Sequence, residues 1–253
     1  MEQLQELLFE LSSKERMALM LRLRDENLKL SELSKKQGLT NPETLRQLRR
    51  LCDVGLVQRK SNGLYEITPY GGLLLSQLKG VEFLAKNRDF FSRYDTSFIP
   101  YEYRNRFGEL LSGTVRNEPL KVLEETQMRL KEAEEFVWIV SNQNFALYKS
   151  TMDEKLKSDF DFRLILPKEA YPSEDEALIP SDTPGMHKNV LPEIHIRLVV
   201  TDKYAGFGIP LRENKIDYRG IMGSDPVFYK WCKDLFIYYW EKSSPHVPYF
   251  MKR

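Results

Sequence analysis

Arg46, Gln47 and Arg50 share one side of a stretch, residues 41 to 65 (NPETLRQLRRLCDVGLVQRKSNGLY), that reads as a helix followed by a short hairpin. At 100° per residue, Leu45, Leu48 and Cys52 form an apolar stripe and the three polar side chains fall opposite. Gly55 is a natural helix stop, and Asn62-Gly63 within the run Leu56 to Tyr65 is a strong hairpin signal. Between Lys29 and Lys60, eight basic residues stand against three acidic ones. Cations at this density on a helix and hairpin neutralise phosphates, so the chemistry expected is non-covalent binding along a phosphate backbone.

The whole chain does not share that bias. Its 253 residues carry a formal net charge of +1, which argues against indiscriminate coating of nucleic acid. Residues 1 to 94 hold 16 Lys+Arg against 12 Asp+Glu, and the remainder holds 22 against 25. The length allows two domains, and 42% hydrophobic residues allow a substantial core. Cys52 and Cys232 are too few for a disulfide framework and lack metal-ligand spacing, so no metal or cofactor is expected. No stretch approaches 18 uninterrupted apolar residues, and MEQLQELLFEL lacks the pattern of a signal peptide. A soluble, cytoplasmic protein without a membrane partner is expected.

The elements that must position the basic helix are legible around it. Leu4, Leu7, Leu8 and Leu11 make an amphipathic helix of residues 1 to 11. Ser12 or Ser13 caps a second helix reaching about Arg24, with Ser12-x-x-Glu15 fitting a capping box. Ser31 opens a short third helix that ends at Gly38, and Asn41 is the expected N-cap of the fourth, with Pro42 in its first turn. The segments LSELSKKQGLT, NPETLRQLRRLCDVGLV and LYEITPYGGLLL resemble the winged helix-turn-helix of archaeal and bacterial transcription regulators. That resemblance implies double-stranded DNA as partner, with the second helix of the pair in the major groove and the hairpin on the backbone. It implies that Thr44, Arg46, Gln47 and Arg50 approach bases or phosphates and that Arg59, Lys60 and Asn62 touch phosphate from the wing. The plainer reading is a solvated helix face, to which Glu43 and Asp53 lend weight.

A helical pattern continues from Tyr70 to about Tyr94, with Leu74, Leu78, Val81 and Ala85 on one face and Leu73, Leu84 and Phe91 widening it. A homodimer seam and packing against the next domain account for this surplus equally well. The expected division is a winged helix-turn-helix over residues 1–68, a connecting helix over 69–94, and a second domain over 95–253. In the last, Pro100 starts a helix carrying Phe107, Leu110 and Leu111, a longer helix spans about Leu120 to Glu135, and FVWIVSN (136–142) is a strand buried on both faces. Further expectations are a helix near Phe145 to Lys157, strands DFRLILP, Ile194 to Thr201 and Tyr204 to Leu211, a long acidic loop from Lys168 to Pro192, and a closing helix from Pro226 to Lys242. The fold class is α+β or α/β, with an α/β sandwich as the second domain.

His195-x-Arg197-x4-Asp202 has the H-x-K-x4-D spacing of phospholipase D-type phosphodiesterases, in which the His attacks phosphorus and the Lys stabilises developing charge. Strand alternation would put His195 and Arg197 on one face. Here Arg replaces Lys, KYAGFGIPL lacks the following Gly-Ser, and no second copy exists, so no catalytic residue is assigned. The order VWIVSN, RLILP, RLVVTDKYAGFGIPL, and then W-x-x-x-L-F-x-x-Y-W from Trp231 to Trp240, resembles the middle domain of methanogenesis-regulatory (Fil-type) proteins of archaea. The resemblance implies an effector-type domain related to the phospholipase D sandwich but without catalysis.

A small-molecule effector would need an apolar pocket with a few convergent polar groups, for which Trp138, Ser141, Asn142, Arg163, His195, Arg197 and Trp231 are candidates. For each the structural alternative is an ion-paired arginine or a core tryptophan. The leading expectation is a DNA-binding transcription regulator, dimeric, whose second domain senses a small molecule or protein. The alternatives are a phosphodiesterase with an accessory nucleic-acid module and an interaction adaptor that binds no DNA.

Overall fold

The computed structural model describes residues 1–142, 151, 155, 160–168, 185–212 and 217–245. Its contacts divide the chain into two compact units, Met1–Lys79 and Gly80–Arg253. The architecture is mixed α+β, as expected.

The first unit runs α1 (Glu2–Leu11), α2 (Lys14–Asp25), β1 (Leu28–Lys29), α3 (Leu30–Gln37), α4 (Asn41–Asp53), β2 (Val57–Arg59) and β3 (Leu64–Ile67), then enters α5 (Pro69–Lys86). The three strands form an antiparallel sheet in the order β1-β3-β2. Local chemistry sets the ends of these helices. Ser13 rather than Ser12 caps α2, its Oγ accepting from Arg16 N at 3.3 Å. Gly38, at φ 68°, closes α3 in the left-handed region. Thr40, not Asn41, caps α4: its Oγ1 accepts from Glu43 N, and Glu43 Oε2 accepts in return from Thr40 N at 3.0 Å.

The buried stripe of α4 is Thr44, Leu48 and Leu51, while Leu45 and Cys52 are only partly covered. The inward side is therefore turned by about 60° from the expected one. The helix terminus explains this. Val54 ends α4, Gly55 takes φ 73°, Gly55 N donates to Cys52 O, and Leu56 N donates to Leu51 O at 2.9 Å. This 6→1 closure brings Leu51 and Leu56 into the same core, as such caps favour.

The wing turn also differs in detail from a two-residue hairpin. Lys60 O accepts from Gly63 N, Gly63 sits at φ 82°, and Asn62 Oδ1 accepts from Leu64 N, so a four-residue turn closes the hairpin.

The second unit contains α6 (Arg88–Phe91), α7 (Tyr101–Arg104), a 3-10 turn (Phe107–Leu110), β4 (Thr114–Arg116), α8 (Pro119–Glu132), β5 (Phe136–Val140), β6 (Asp161–Pro167), β7 (Met186–Leu191), β8 (Arg197–Thr201), β9 (Ala205–Gly208), β10 (Gly220–Gly223), α9 (Pro226–Lys242) and β11 (Ser244–Pro245). Eight strands form one sheet in the order β11-β7-β6-β5-β8-β9-β10-β4, with β5, β6 and β7 parallel and the others antiparallel. Alternation splits its side chains. Trp138, Val140, Leu198, Val200, Phe207 and Ile221 pack with α9, whereas Val137, Ile139, Phe162, Leu164 and Val199 pack with Leu130 of α8.

Several elements depart from expectation. The helix expected from Tyr70 to Tyr94 breaks at Asn87, and the one expected from Pro100 is two short turns. β7 occupies the end of the expected Lys168–Pro192 loop, and β4 and β10 are additional short strands. Most of the helix expected near Phe145 to Lys157, and loop residues 169–184, lie outside the described residues.

Candidate nucleic-acid interface and effector cavity

Rotation of the α4 stripe changes which side chains are free. Arg46 and Arg49 are exposed on its outer side, with no ion pair among the described residues. Arg49 was missed in the sequence because the inward stripe was centred on Cys52. Choosing Leu51, which also has four-three spacing from Thr44 and Leu48, points Arg49 outward.

Arg50 and Gln47 are instead held by α1 and α2. Arg50 Nε lies 3.0 Å from Glu10 Oε2, with the guanidinium 5.2 Å from the Phe9 ring centre. That hydrogen bond raises the Arg50 pKa. Gln47 Oε1 accepts from Arg16 Nη1 at 3.0 Å, and Arg16 also pairs with Glu10 at 2.9 Å and donates to the carbonyls of Glu10 and Phe9. Thr44 is fully buried, its hydroxyl donating to Thr40 O at 3.0 Å, so it leaves the expected DNA-facing set.

On the wing, Arg59 is exposed with its guanidinium 5.9 Å from the Tyr65 ring centre. Lys60 pairs with Glu66, whose carboxyl is held below its ordinary pKa by Lys60 and then by Gln58. Asn62 is exposed, although its Oδ1 is engaged within the turn. Arg46 and Arg49 on α4 and Arg59 on the wing are therefore exposed cations.

In the second unit the seven effector candidates separate. Ser141 and Arg197 line one cavity of about 80 Å³ between α8 and the sheet. Trp231 is fully buried and donates to Tyr103 O at 3.1 Å, and Trp138 stacks on Phe236 with its Nε1 on Asp161 at 3.0 Å. Both tryptophans are core. Arg163 is registered with Trp138, pairs with Asp161 at 3.0 Å, and lies on the α9 side, away from that cavity. Asn142 Oδ1 is enclosed without a hydrogen-bond partner among the described residues, but Asn142 is not part of the cavity lining.

His195 precedes β8, yet burial alternates through it, with Ile194, Ile196, Leu198 and Val200 in one core and His195, Arg197 and Val199 partly exposed between them. His195 stacks on Phe98 at 4.0 Å and its Nε2 is 3.1 Å from Glu193. Asp202 accepts from Glu134 N at 3.0 Å.

No protein-family model matches the sequence, and no curated protein matches it. Among solved structures, the chain is similar to TrmBL2, described as an archaeal chromatin protein with a novel mode of DNA binding, at 14% identity over 92% of this chain and 94% of that one, TM-score 0.46. It is similar to NucT from Helicobacter pylori at 14% identity over 53% and 98%, TM-score 0.41. It is similar to Nuc from Salmonella typhimurium, a phospholipase D family member, at 9% identity over 53% and 98%, TM-score 0.39. At such identities and scores, none of these likenesses assigns a function to this chain. No described helix is long and apolar enough to cross a membrane.

Proposed function

We propose that the chain is a DNA-binding transcription regulator in which α4 enters the major groove and the β2–β3 wing lies along the backbone. The observation that carries this reading is the pair Arg46 and Arg49, exposed side by side on the second helix of a helix-turn-helix and in no ion pair among the described residues, although the Glu43 carboxylate lies near Arg46. Arg59 adds a cation on the wing. Duplex binding measured by fluorescence anisotropy across a salt series tests it. Three phosphate contacts, from Arg46, Arg49 and Arg59, imply a loss of roughly fortyfold between about 50 and 200 mM salt. A flat or absent response favours the adaptor reading instead.

The second unit is a non-catalytic sensor of a small molecule in this proposal. Support comes from His195, which is engaged by Phe98 and Glu193 and does not line the cavity that holds Arg197. The regulator acts as a homodimer, a reading supported by Val81 and Leu84, exposed apolar residues three positions apart on α5 and so on one side of it. Light scattering should give twice the chain mass, and a monomer mass at all concentrations would remove the dimer.

A further inference from the structure

The cavity beneath α8 is created by missing side chains. On that face of the sheet, Arg197 and Val199 of β8 are registered with Gly208 and Gly206 of β9, and Gly206 is registered in turn with Met222 of β10. Two successive positions of β9 thus contribute no side chain to this face, and α8 roofs the space with Thr126, Arg129 and Leu130. Gly208 has a specific task. A Cβ there would lie 2.5 Å from Arg197 Nη2 and 3.2 Å from its Cζ, so the guanidinium rests directly against the glycine backbone. Arg197 Nη2 is held there by the carbonyl of Arg219 at 3.1 Å and by that of Asp217, with the Tyr218 ring 5.2 Å away.

Among the described residues that line the cavity, Arg129 and Arg197 are the charged ones and none is acidic. Arg129 Nη1 is tied to Glu132 at 2.8 Å, and its guanidinium lies over Tyr204, but its Nε is enclosed with no hydrogen-bond acceptor among the described residues. An enclosed donor without an acceptor is destabilising. The hydroxyls of Thr126 and Ser141 complete the polar part, and Ile139, Val199 and Met222 supply an apolar wall. The cavity's volume corresponds to roughly six water-sized positions at about 10–15 Å³ each.

We propose that this cavity binds a small organic anion: a carboxylate or phosphate head group that accepts from Arg129 and Arg197, on a short apolar body packed against the Ile139 side. The site deepens the sensor reading above and rests on it only for its regulatory consequence.

Titration calorimetry on the full chain, without DNA, tests the site. The carboxylate arm uses butyrate and hexanoate, the phosphate arm uses inorganic phosphate and glycerol phosphate, and hexanamide is the uncharged control. Saturable one-to-one binding is expected from one arm, with hexanamide at least about tenfold weaker than an anion of equal size. Arg129→Gln should lower affinity at least about tenfold with an unchanged circular dichroism spectrum, and Arg129→Lys should recover part of it because the charge returns without the planar fork. Absence of binding in both arms, equal binding of hexanamide, or a folded Arg129→Gln protein with undiminished affinity would each overturn the proposal. Because no DNA is present, failure here leaves the salt-dependent DNA reading standing, and failure of the DNA titration leaves the anion site standing.

Discussion

Glu10 of α1 grips Arg50 of α4, with Arg50 Nε 3.0 Å from Glu10 Oε2, while the same carboxylate pairs with Arg16 of α2 at 2.9 Å. One acidic side chain thereby ties three helices of the first unit and occupies a cation that the sequence assigns to DNA.

The two ends of this bridge should differ in cost. The Glu10 and Arg16 side chains are 8% and 7% exposed, whereas Arg50 is 41% exposed. Glu10→Ala strands a buried guanidinium and should destabilise the protein by about 3 kcal/mol. Arg50→Ala leaves the Glu10–Arg16 pair intact and should cost about 1 kcal/mol or less. Urea denaturation measures both, and equal losses would contradict the bridge as described.

DNA affinity should follow the free arginines, not the held one. Arg46→Ala with Arg49→Ala should weaken duplex binding by at least about tenfold and flatten its salt dependence by roughly two contacts. Arg50→Ala should have the smaller effect. The reverse ranking would place the interface on the other side of α4.

Two adjacent glycines at the start of α5 should respond oppositely to alanine. A Cβ on Gly71 would lie 2.2 Å from Leu56 O and 2.9 Å from Ile67 Cγ1, while one on Gly72 meets open space. The close approach is set by Thr68, whose hydroxyl donates to Gly55 O at 2.7 Å and accepts from Gly71 N at 2.9 Å. Gly71→Ala should cost about 1–3 kcal/mol through overpacking. Gly72→Ala should be neutral or stabilise by up to about 1 kcal/mol through helix propensity. Thermal unfolding of the two variants distinguishes them.

Acid should weaken the second unit through Asp217. Burial pushes the pKa of this carboxyl up, but hydrogen bonds from the Arg219 side chain at 2.7 Å, the Arg219 backbone at 3.0 Å and the Tyr94 hydroxyl at 2.6 Å outweigh burial and lower it from 3.8 to about 2. A folded pKa below the unfolded one means that the stabilisation is complete above pH 3.8 and is lost as pH falls toward 2. Wild type should exceed Asp217→Asn by on the order of 2 kcal/mol at pH 5, and the gap should close toward pH 2. A gap independent of pH in denaturant titrations would show that Asp217 does not titrate in this way.

What could be read from the amino-acid order was local. Gly38, Gly55 and Gly63 marked two helix ends and a turn, the capping signals marked the starts of α2 and α4 to within a residue but that of α3 two residues late, and the run Phe136 to Val140 marked a central strand, because each depends on residues a few positions apart. Three-residue and four-residue strands such as β4 and β10 escaped notice, since so short a run carries too little alternation and is paired by partners far along the chain. The free face of α4 is ambiguous in the sequence for a related reason: Leu51 and Cys52 both extend a helical stripe, and only packing with Leu56 decides between them. Tertiary structure alone joined Glu10 to Arg50 across 40 positions, withdrew Trp138 and Trp231 into the core, and brought Arg129 and Arg197 to one cavity beside two strand glycines. Those outcomes depend on which distant surfaces are buried together, and burial is a property of the assembled layers that no local spacing contains.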